Sequence, residues 1–491
     1  MLTVYVKGHQ VLYDAEHIVR LFFQWQKVQC VSCEQLPEIT QETYLTSEFL
    51  MQGNNMQSVV TLYFEGKTYT AQASIPHHGK YSRDQKTVIK LALYRALKQA
   101  IDLATPWGTM IGIRPAKIVR EWLEEGKSEL EIIAIMTEQF ETKPEKSALV
   151  LAVAQAERDI LQKISPHNIS LYIGIPFCPT RCLYCSFISM DIARAKMFIA
   201  PYCDALVQEI KHTVQLVEAN GLKIDTIYMG GGTPTALSAS QLEKILYNLQ
   251  ANLHNHSILE LTVEAGRPDT IDCEKLKVLK QYGTTRLSIN PQTMHDKTLG
   301  LIGRQHTAEQ AIIAFELARS MGFDNINMDL IAGLPEETQA LFEQSIEKIG
   351  RLSPDSITVH SLSVKRAATL QQDIDQYTMT QAETVSDMLM IAQQYAAHNG
   401  YDPYYMYRQK NTLGNLENVG YAQPGKACLY NVLMMEDCQT VIGLGAGSMT
   451  KWVLGEGKLE RNQNYKHAEE YVKHIDDVLR KKDSAFNINL R

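Results

Sequence analysis

The most specific chemistry in the chain lies in three cysteines, Cys178, Cys182 and Cys185, spaced C-x3-C-x2-C between Ile175 and Cys185. On a single loop that spacing points three thiolates at one centre, and soft thiolates suit iron–sulfur clusters and zinc. A structural zinc takes four closed ligands, and no Cys or His pair follows at zinc-ribbon spacing. A [4Fe–4S] cluster held wholly by protein also takes four cysteines. Three therefore leave one iron open to a ligand from outside the chain.

The loop must be held by what precedes it, and Ser170 to Ile175 reads as a buried strand. From about residue 167 to 365, strand and helix alternate six times, with strands expected at 170–175, 224–229, 259–265, 285–290, 325–331 and 356–362. Amphipathic stretches such as Phe198–Ala219 and Ala308–Arg319 separate them. Near-continuous apolar strands divided by helices imply a parallel sheet with helices outside. In βα barrels the chemistry sits on loops at the C-terminal ends of the strands.

Polar residues fall at those ends. Gly230-Gly231-Gly232-Thr233 follows the second strand, and consecutive glycines let backbone approach a ligand with no Cβ in the way. Glu264 ends the third; a carboxylate at an apolar mouth is costly unless it meets a cation or donor, so it faces either a ligand or a neighbouring loop's cation. Gln292 closes the fourth, Arg304 follows Leu301-Ile302-Gly303, and Asp329 lies in the fifth. A guanidinium at Arg304 suits a carboxylate in bidentate geometry.

The flanks read differently. Residues 1–165 form a separate α/β module: Ser58–Phe64 alternates, Glu65-Gly66-Lys67 is a turn signal, Thr68–Ala71 returns, and a helix starts at about Asp84 as N-cap. Cys30 and Cys33 lack the strand-into-helix context of a redox motif and read as ordinary thiols. Arg114 and Lys117 read as solvated helix-entry charges. Beyond 365 the repeat stops, with a long helix at Met379–His398, tyrosines interleaved with Arg408 and Lys410, and a glycine loop at Gly443–Ser448.

A net charge of −7 on 491 residues leaves no basic footprint for nucleic acid. Nine cysteines in so long a chain make no disulfide framework, and three in a cluster motif point to a reducing cytosol. Met1–Lys7 has neither the basic nor the apolar region of a signal peptide. The longest apolar run, Ala148–Ala154, is too short to span a bilayer. The expectation is a soluble, cytoplasmic protein without membrane insertion.

The cysteine segment resembles the radical-SAM signature, in which the amino and carboxylate groups of S-adenosylmethionine (SAM) chelate the open iron. Its flanks, Tyr172-x-x-Ile175-Pro176-Phe177-Cys178 and Cys182-x-Tyr184-Cys185, look like the oxygen-independent coproporphyrinogen III oxidase branch. Together with Trp107–Pro115 and Tyr407–Asn411, they resemble the HemZ-type coproporphyrinogen dehydrogenases. The resemblance implies a partial (β/α)6 barrel over 166–365, preceded by the N-terminal α/β module and followed by a mainly helical, substrate-covering domain over 366–491. It implies a [4Fe–4S] cluster on Cys178, Cys182 and Cys185, with Tyr172 beside them in the catalytic set. SAM, two molecules per turnover, would be held by Tyr172, Tyr184, Gly231, Gly232, Thr233, Glu264, Gln292, Arg304, Asp329 and Met449.

The activity so implied is oxidative decarboxylation of coproporphyrinogen III propionates to vinyls, giving protoporphyrinogen IX, with an electron donor and acceptor that are not identified. Four carboxylates on an apolar macrocycle need local cations, because a net negative chain does not attract them by its overall field. Arg181, Lys365, Arg366, Arg408 and Lys410 are the candidates. The chain departs from the best-understood relatives at Phe187, where they carry a fourth cysteine, and at Gly174, where they carry a histidine. The haem-chaperone branch shares Phe at the first of these, so a haem chaperone and a haem-modifying radical-SAM protein stand as alternatives.

Overall fold

The computed structural model describes residues 2–23, 26–35, 42–77, 79, 81–112, 114–187, 189–365, 368–373, 376–409, 412–455 and 457–489. Packing divides the chain into two units, Met1–Ala154 with Arg408–Lys410 and Gly414–Leu416, and Gln155–Tyr407 with Asn411–Leu413 and Glu417–Arg491. The expected barrel and C-terminal region thus belong to one compact unit. Among the described residues no helix is long and apolar enough to cross a membrane.

The first unit contains β1 (Leu2–Lys7), α1 (Leu12–Phe22), β2 (Val28–Ser32), β3 (Tyr44–Gln52), β4 (Asn55–Phe64), β5 (Lys67–Pro76), α2 (Tyr81–Ile101), α3 (Pro115–Glu124) and α4 (Glu129–Gln139), and α5 (Pro144–Leu161) runs on into the second. Its sheet has the order β2-β1-β3-β4-β5. The alternation in β4 buries Val60 and Leu62 in one core with α1 and α2. Glu65 and Gly66 both take positive φ, 52° and 75°, the backbone of a two-residue hairpin turn matched to strand twist. Asp84 lies inside the first turn of α2 rather than capping it, and it accepts a hydrogen bond from His77 Nδ1 at 3.1 Å.

The second unit opens with β6 (Ile169–Ile175), the short β7 (Phe177–Cys178) and β8 (Met190–Asp191), and α6 (Lys196–Ala219). Then come β9 (Ile224–Gly231), α7 (Ala239–Asn252), β10 (Glu260–Glu264), α8 (Cys273–Gln281), β11 (Arg286–Gln292), α9 (Asp296–Leu301), α10 (Ala308–Ser320), β12 (Ile326–Ala332), α11 (Gln339–Leu352) and β13 (Ser356–Ser361). These strands pair in parallel in chain order, β6-β9-β10-β11-β12-β13, the arrangement of a six-unit partial barrel. Helix starts are encoded locally. Ser238 with Gln241, and Thr307 with Gln310, form reciprocal capping boxes at α7 and α10, which satisfy backbone donors that a helix leaves unpaired.

The C-terminal region adds α12 (Thr369–Gln372), α13 (Ala382–His398), β14 (Asp402–Arg408), β15 (Glu417–Ala422), α14 (Leu429–Glu436), β16 (Thr440–Leu444), β17 (Met449–Val453), β18 (Leu459–Gln463), α15 (Ala468–Lys473) and α16 (Ile475–Asn489). The helix expected at Met379–His398 is α13, and strands extend the sheet at both edges. β15 pairs antiparallel with β13, while β16 joins β6 in parallel. The glycine loop therefore leaves the end of a core strand next to the cysteine strand.

That loop is pinned by one buried carboxylate. Glu209, fully buried on α6, accepts from Gly445 N–H at 2.7 Å, Tyr471 Oη at 2.5 Å and Asn464 Nδ2 at 2.7 Å. Lys482 Nζ, 3.2 Å from Glu209 Oε1, also donates to Gly443 O at 2.8 Å. Removing one member of a buried pair strands the other. Glu209→Ala is expected to lower stability by about 3–5 kcal/mol in chemical denaturation, whereas exposed Lys297→Ala, on a surface pair, should change it by less than about 1 kcal/mol.

Candidate active site

β6 carries the chain to the sheet's C-terminal rim at Ile175, and Phe177–Cys178 then pairs in parallel with Met190–Asp191, closing the cysteine loop. Leu183 anchors the loop's centre. It is buried among Leu299, Ile302, Ile331, Leu334, Leu362 and Leu370, and its backbone bonds to Ile302 and Leu370 at 2.9 and 3.0 Å. Thr180 Oγ1 donates to Gly303 O at 3.1 Å and accepts from Arg267 Nη1 at 2.9 Å. Arg267 is itself buried and doubly bonded to Asp269, at 3.0 and 3.1 Å.

The three thiols lie in one another's fields. Burial raises the pKa of Cys185, and the charges of Cys182 and Cys178 add to it against Arg181. Burial likewise raises Cys178, against a hydrogen bond from Thr233 Oγ1 at 3.6 Å and the Arg267 charge. Among the described residues no three His, Cys, Asp or Glu side chains already stand as ion ligands. What fits a cluster is the donor set: three soft sulfurs on a pinned loop, with a hydroxyl directed at one of them.

The glycine segment packs directly on this loop. Gly232 N–H donates to Ile175 O at 2.8 Å and Thr233 N–H to Phe177 O at 2.7 Å. A Cβ on Gly232 would lie 2.6 Å from Phe177 O, and one on Gly230 would lie 2.8 Å from Glu264 Cδ. Gly231 has φ +104°, which L side chains rarely adopt. Glu264 accepts from Tyr228 Oη at 2.6 Å. Burial pushes its pKa up to about 7; the Tyr228 bond opposes this and the Asp329 charge adds to it.

Across the rim, the β11–β12 register shifts between Ile289 and Gln292, where Pro291 has no N–H for the ladder. Gln292 emerges at φ 72°, an outlier for a side-chain-bearing residue, with its Oε1 buried and lacking a hydrogen-bond partner. Arg304 is buried, donates through Nη1 to Gly266 O at 3.1 Å and to Asn290 O, and leaves Nε buried without a partner. The end of β11 and the loop after α9 thus present one orphan acceptor and one orphan donor, which suits a polar ligand. Asp329 accepts from Asn327 Nδ2 at 2.6 Å and lies 3.6 Å from His360 Nε2. Burial alone would raise its pKa, but His360, Asn327 and Arg286 outweigh that and hold it below the ordinary value.

Tyr172 stacks with Tyr228 and Tyr430, at centroid distances of 6.3 and 6.4 Å, inside this rim. Burial raises the Tyr184 phenol against the charge of Arg304, so these two are neighbours. Met449 differs. It opens β17 and is 44 % exposed, and its backbone faces Gly443.

Of the expected substrate cations, Arg181 is exposed on the cysteine loop and Lys365 is half-buried just after β13, while Arg366 and Lys410 lie outside the described residues. Arg408 is a correction. It belongs to the first unit, is buried over the Trp107 ring at 5.2 Å, and bonds to Met110 O and twice to Asn415 O at 3.1 and 2.8 Å. A guanidinium so engaged is structural.

Sequence reasoning missed Tyr228 and His360, the partners of the two carboxylates. His360 lies near the end of β13, so the strand-end rule applied to Glu264 covers it too. Gly174 also has a physical account. A Cβ there would lie 3.3 Å from Leu444 O and 3.4 Å from Ala446 O, so a histidine would require the 443–448 loop to give way.

Residues 172–349 match the radical SAM superfamily model. The chain is 36 % identical over 411 residues, 81 % of its length and 82 % of the relative's, to the oxygen-independent coproporphyrinogen-III oxidase-like protein HemZ of Bacillus subtilis. It is 42 % identical over 197 residues to the haem chaperone HemW of the same organism, covering 40 % of this chain and 51 % of that protein. The crystal structure of coproporphyrinogen III oxidase from Escherichia coli superposes with a TM-score of 0.51 at 23 % identity, covering 66 % of this chain and 72 % of that one; this likeness bears on the fold alone. The superfamily's cofactors are a [4Fe–4S] cluster and SAM, and the thiols, glycine cradle and orphan polar atoms described above fit both.

Arg304→Ala is expected to weaken SAM binding by about 2–5 kcal/mol while iron and sulfide content stay unchanged; equal affinity would remove Arg304 from the site. The Glu264 carboxyl keeps a proton up to about pH 7 that the unfolded chain releases near 4.5, so native stability falls as pH rises across that interval. Glu264→Gln removes the effect. In urea unfolding of cluster-free protein, it should gain about 2–3 kcal/mol on wild type between pH 4.5 and pH 7.5.

Proposed function

This chain belongs to the radical-SAM superfamily and, within it, to the oxygen-independent coproporphyrinogen-III oxidase-like family, and from that premise we propose that it decarboxylates the propionate side chains of coproporphyrinogen III to vinyls. The observation that carries the reading is the 36 % identity to HemZ over 81 % of this chain, a span longer than the second unit. In the reaction each of the two propionates that become vinyls loses a hydrogen atom, carbon dioxide and one electron, the electron leaving to an acceptor outside the chain. Cluster-bound SAM supplies the carbon-centred radical that takes the hydrogen atom.

The protein's part is binding and orientation. Cys178, Cys182 and Cys185 hold the cluster. The Gly230–Gly232 backbone, Gln292 Oε1 and Arg304 Nε receive the polar ends of SAM. The two rim carboxylates divide their work by environment: Asp329 stays ionised beside His360 and accepts hydrogen bonds, while Glu264, with a pKa of about 7, is neutral in a large fraction of molecules and donates. Tyr172, Tyr228 and Tyr430 form a stacked aromatic cluster, an apolar surface for a macrocycle. Arg181 and Lys365 supply charge for its carboxylates, with Arg366 as a further candidate.

A second reading, haem trafficking, is favoured by the 42 % identity to HemW and by Phe187, 64 % exposed on the cysteine loop. Anaerobic incubation with SAM, a reductant and coproporphyrinogen III separates the two. The decarboxylase reading predicts protoporphyrinogen IX and consumption of SAM. Tight haem binding with no decarboxylated product, under conditions where SAM is cleaved, assigns the chain to the second reading.

A further inference from the structure

We infer that the N-terminal unit carries an anion-binding site of its own, in the open cavity walled by α2, α3 and the end of α4. The cavity measures about 540 Å³. Arg83, Lys86 and Lys90 line it from α2, at spacings that put three cations on one helical face. Ile118 and Phe140 form an apolar part of the wall, Ser82 and Thr87 add hydroxyls, and no acidic residue is among the lining residues described.

The cations are incompletely neutralised. Arg83 Nη1 meets Glu121 at 3.1 Å, but its Nη2 is buried with no hydrogen-bond partner. Lys86 Nζ stands 3.7 Å from Asp14. Lys90 Nζ makes no ion pair or hydrogen bond among the described residues. Burial, with the charges of Lys86 and Arg83, lowers its pKa against the pull of Asp14. A second cavity of about 490 Å³ in the same unit supplies the contrast. There a lining carboxylate, Glu141, binds Arg95 at 2.7 Å and Lys98 at 3.1 Å, so two of the cations already have an acidic partner within the cavity wall.

Like charges on successive turns repel, and a sheltered ammonium without a partner is unfavourable. An anion in the cavity relieves both. The ligand class is an organic anion with at least two negative charges next to a small apolar body that Ile118 and Phe140 cover. Phosphate and carboxylate groups share this chemistry.

The test titrates the full-length protein at low salt, by calorimetry, with phenyl phosphate and separately with benzene-1,2-dicarboxylate. Saturable binding of at least one is expected, weakened at least fivefold by Lys90→Gln, restored by Lys90→Arg and unaffected by Arg304→Ala. The preferred probe tells phosphate from carboxylate. Circular dichroism checks that each variant is folded, and Lys86→Gln serves as the second variant. The proposal is overturned by absence of saturable binding, by binding that both Gln variants leave within fivefold, or by binding that Arg304→Ala abolishes.

Discussion

The site depends on two backbone hydrogen bonds, Gly232 N–H to Ile175 O and Thr233 N–H to Phe177 O. They clamp the glycine segment at the end of β9 onto the cysteine loop after β6 and bring the two segments so close that no Cβ fits at Gly232. Everything the rim does requires that closeness. It sets Thr233 Oγ1 against Cys178 Sγ, and it places the glycine backbone beside the loop that carries the thiols. Adjacent parallel strands make the clamp available without long-range rearrangement, since the C-terminal ends of neighbours lie side by side.

The second constraint is electrostatic. Glu264 and Asp329 sit in opposite settings, and the charge of Asp329 adds to the cost of ionising Glu264: the first has a phenol partner, the second an imidazole and an amide. Burial is the same for both, so the partners decide. One carboxyl is held near neutrality and the other stays charged, which gives a small rim both a donor and an acceptor without any further residue. The strained Gln292, placed by a bulge at Pro291, extends this set. Strain of that kind persists where surrounding structure enforces it.

Much of this was legible in the chain. Six apolar strands with polar residues at their ends gave the sheet, its parallel sense and the positions of Glu264, Gln292 and Asp329 to within about two residues, because both signals are local. Arg408 was misread for the opposite reason. A tyrosine-flanked arginine looks the same whether it faces a ligand or sits over Trp107, and only tertiary contact decides. The strands β14–β18 were also missed: short edge and hairpin strands carry weak periodicity, and their pairing with β13 and β6 is non-local. His360 was within reach of the strand-end rule but lacks a pattern of its own.

The central claim is that the rim delivers a propionate carbon to the SAM-derived radical, and the most direct measurement follows one atom. Coproporphyrinogen III deuterated at the propionate β-carbons is incubated anaerobically with the reconstituted protein, SAM and reductant, and the 5′-deoxyadenosine formed is analysed by mass spectrometry. The account predicts one deuterium in the 5′-deoxyadenosine for each vinyl group produced. 5′-Deoxyadenosine that forms without deuterium, with the substrate recovered intact, would contradict it.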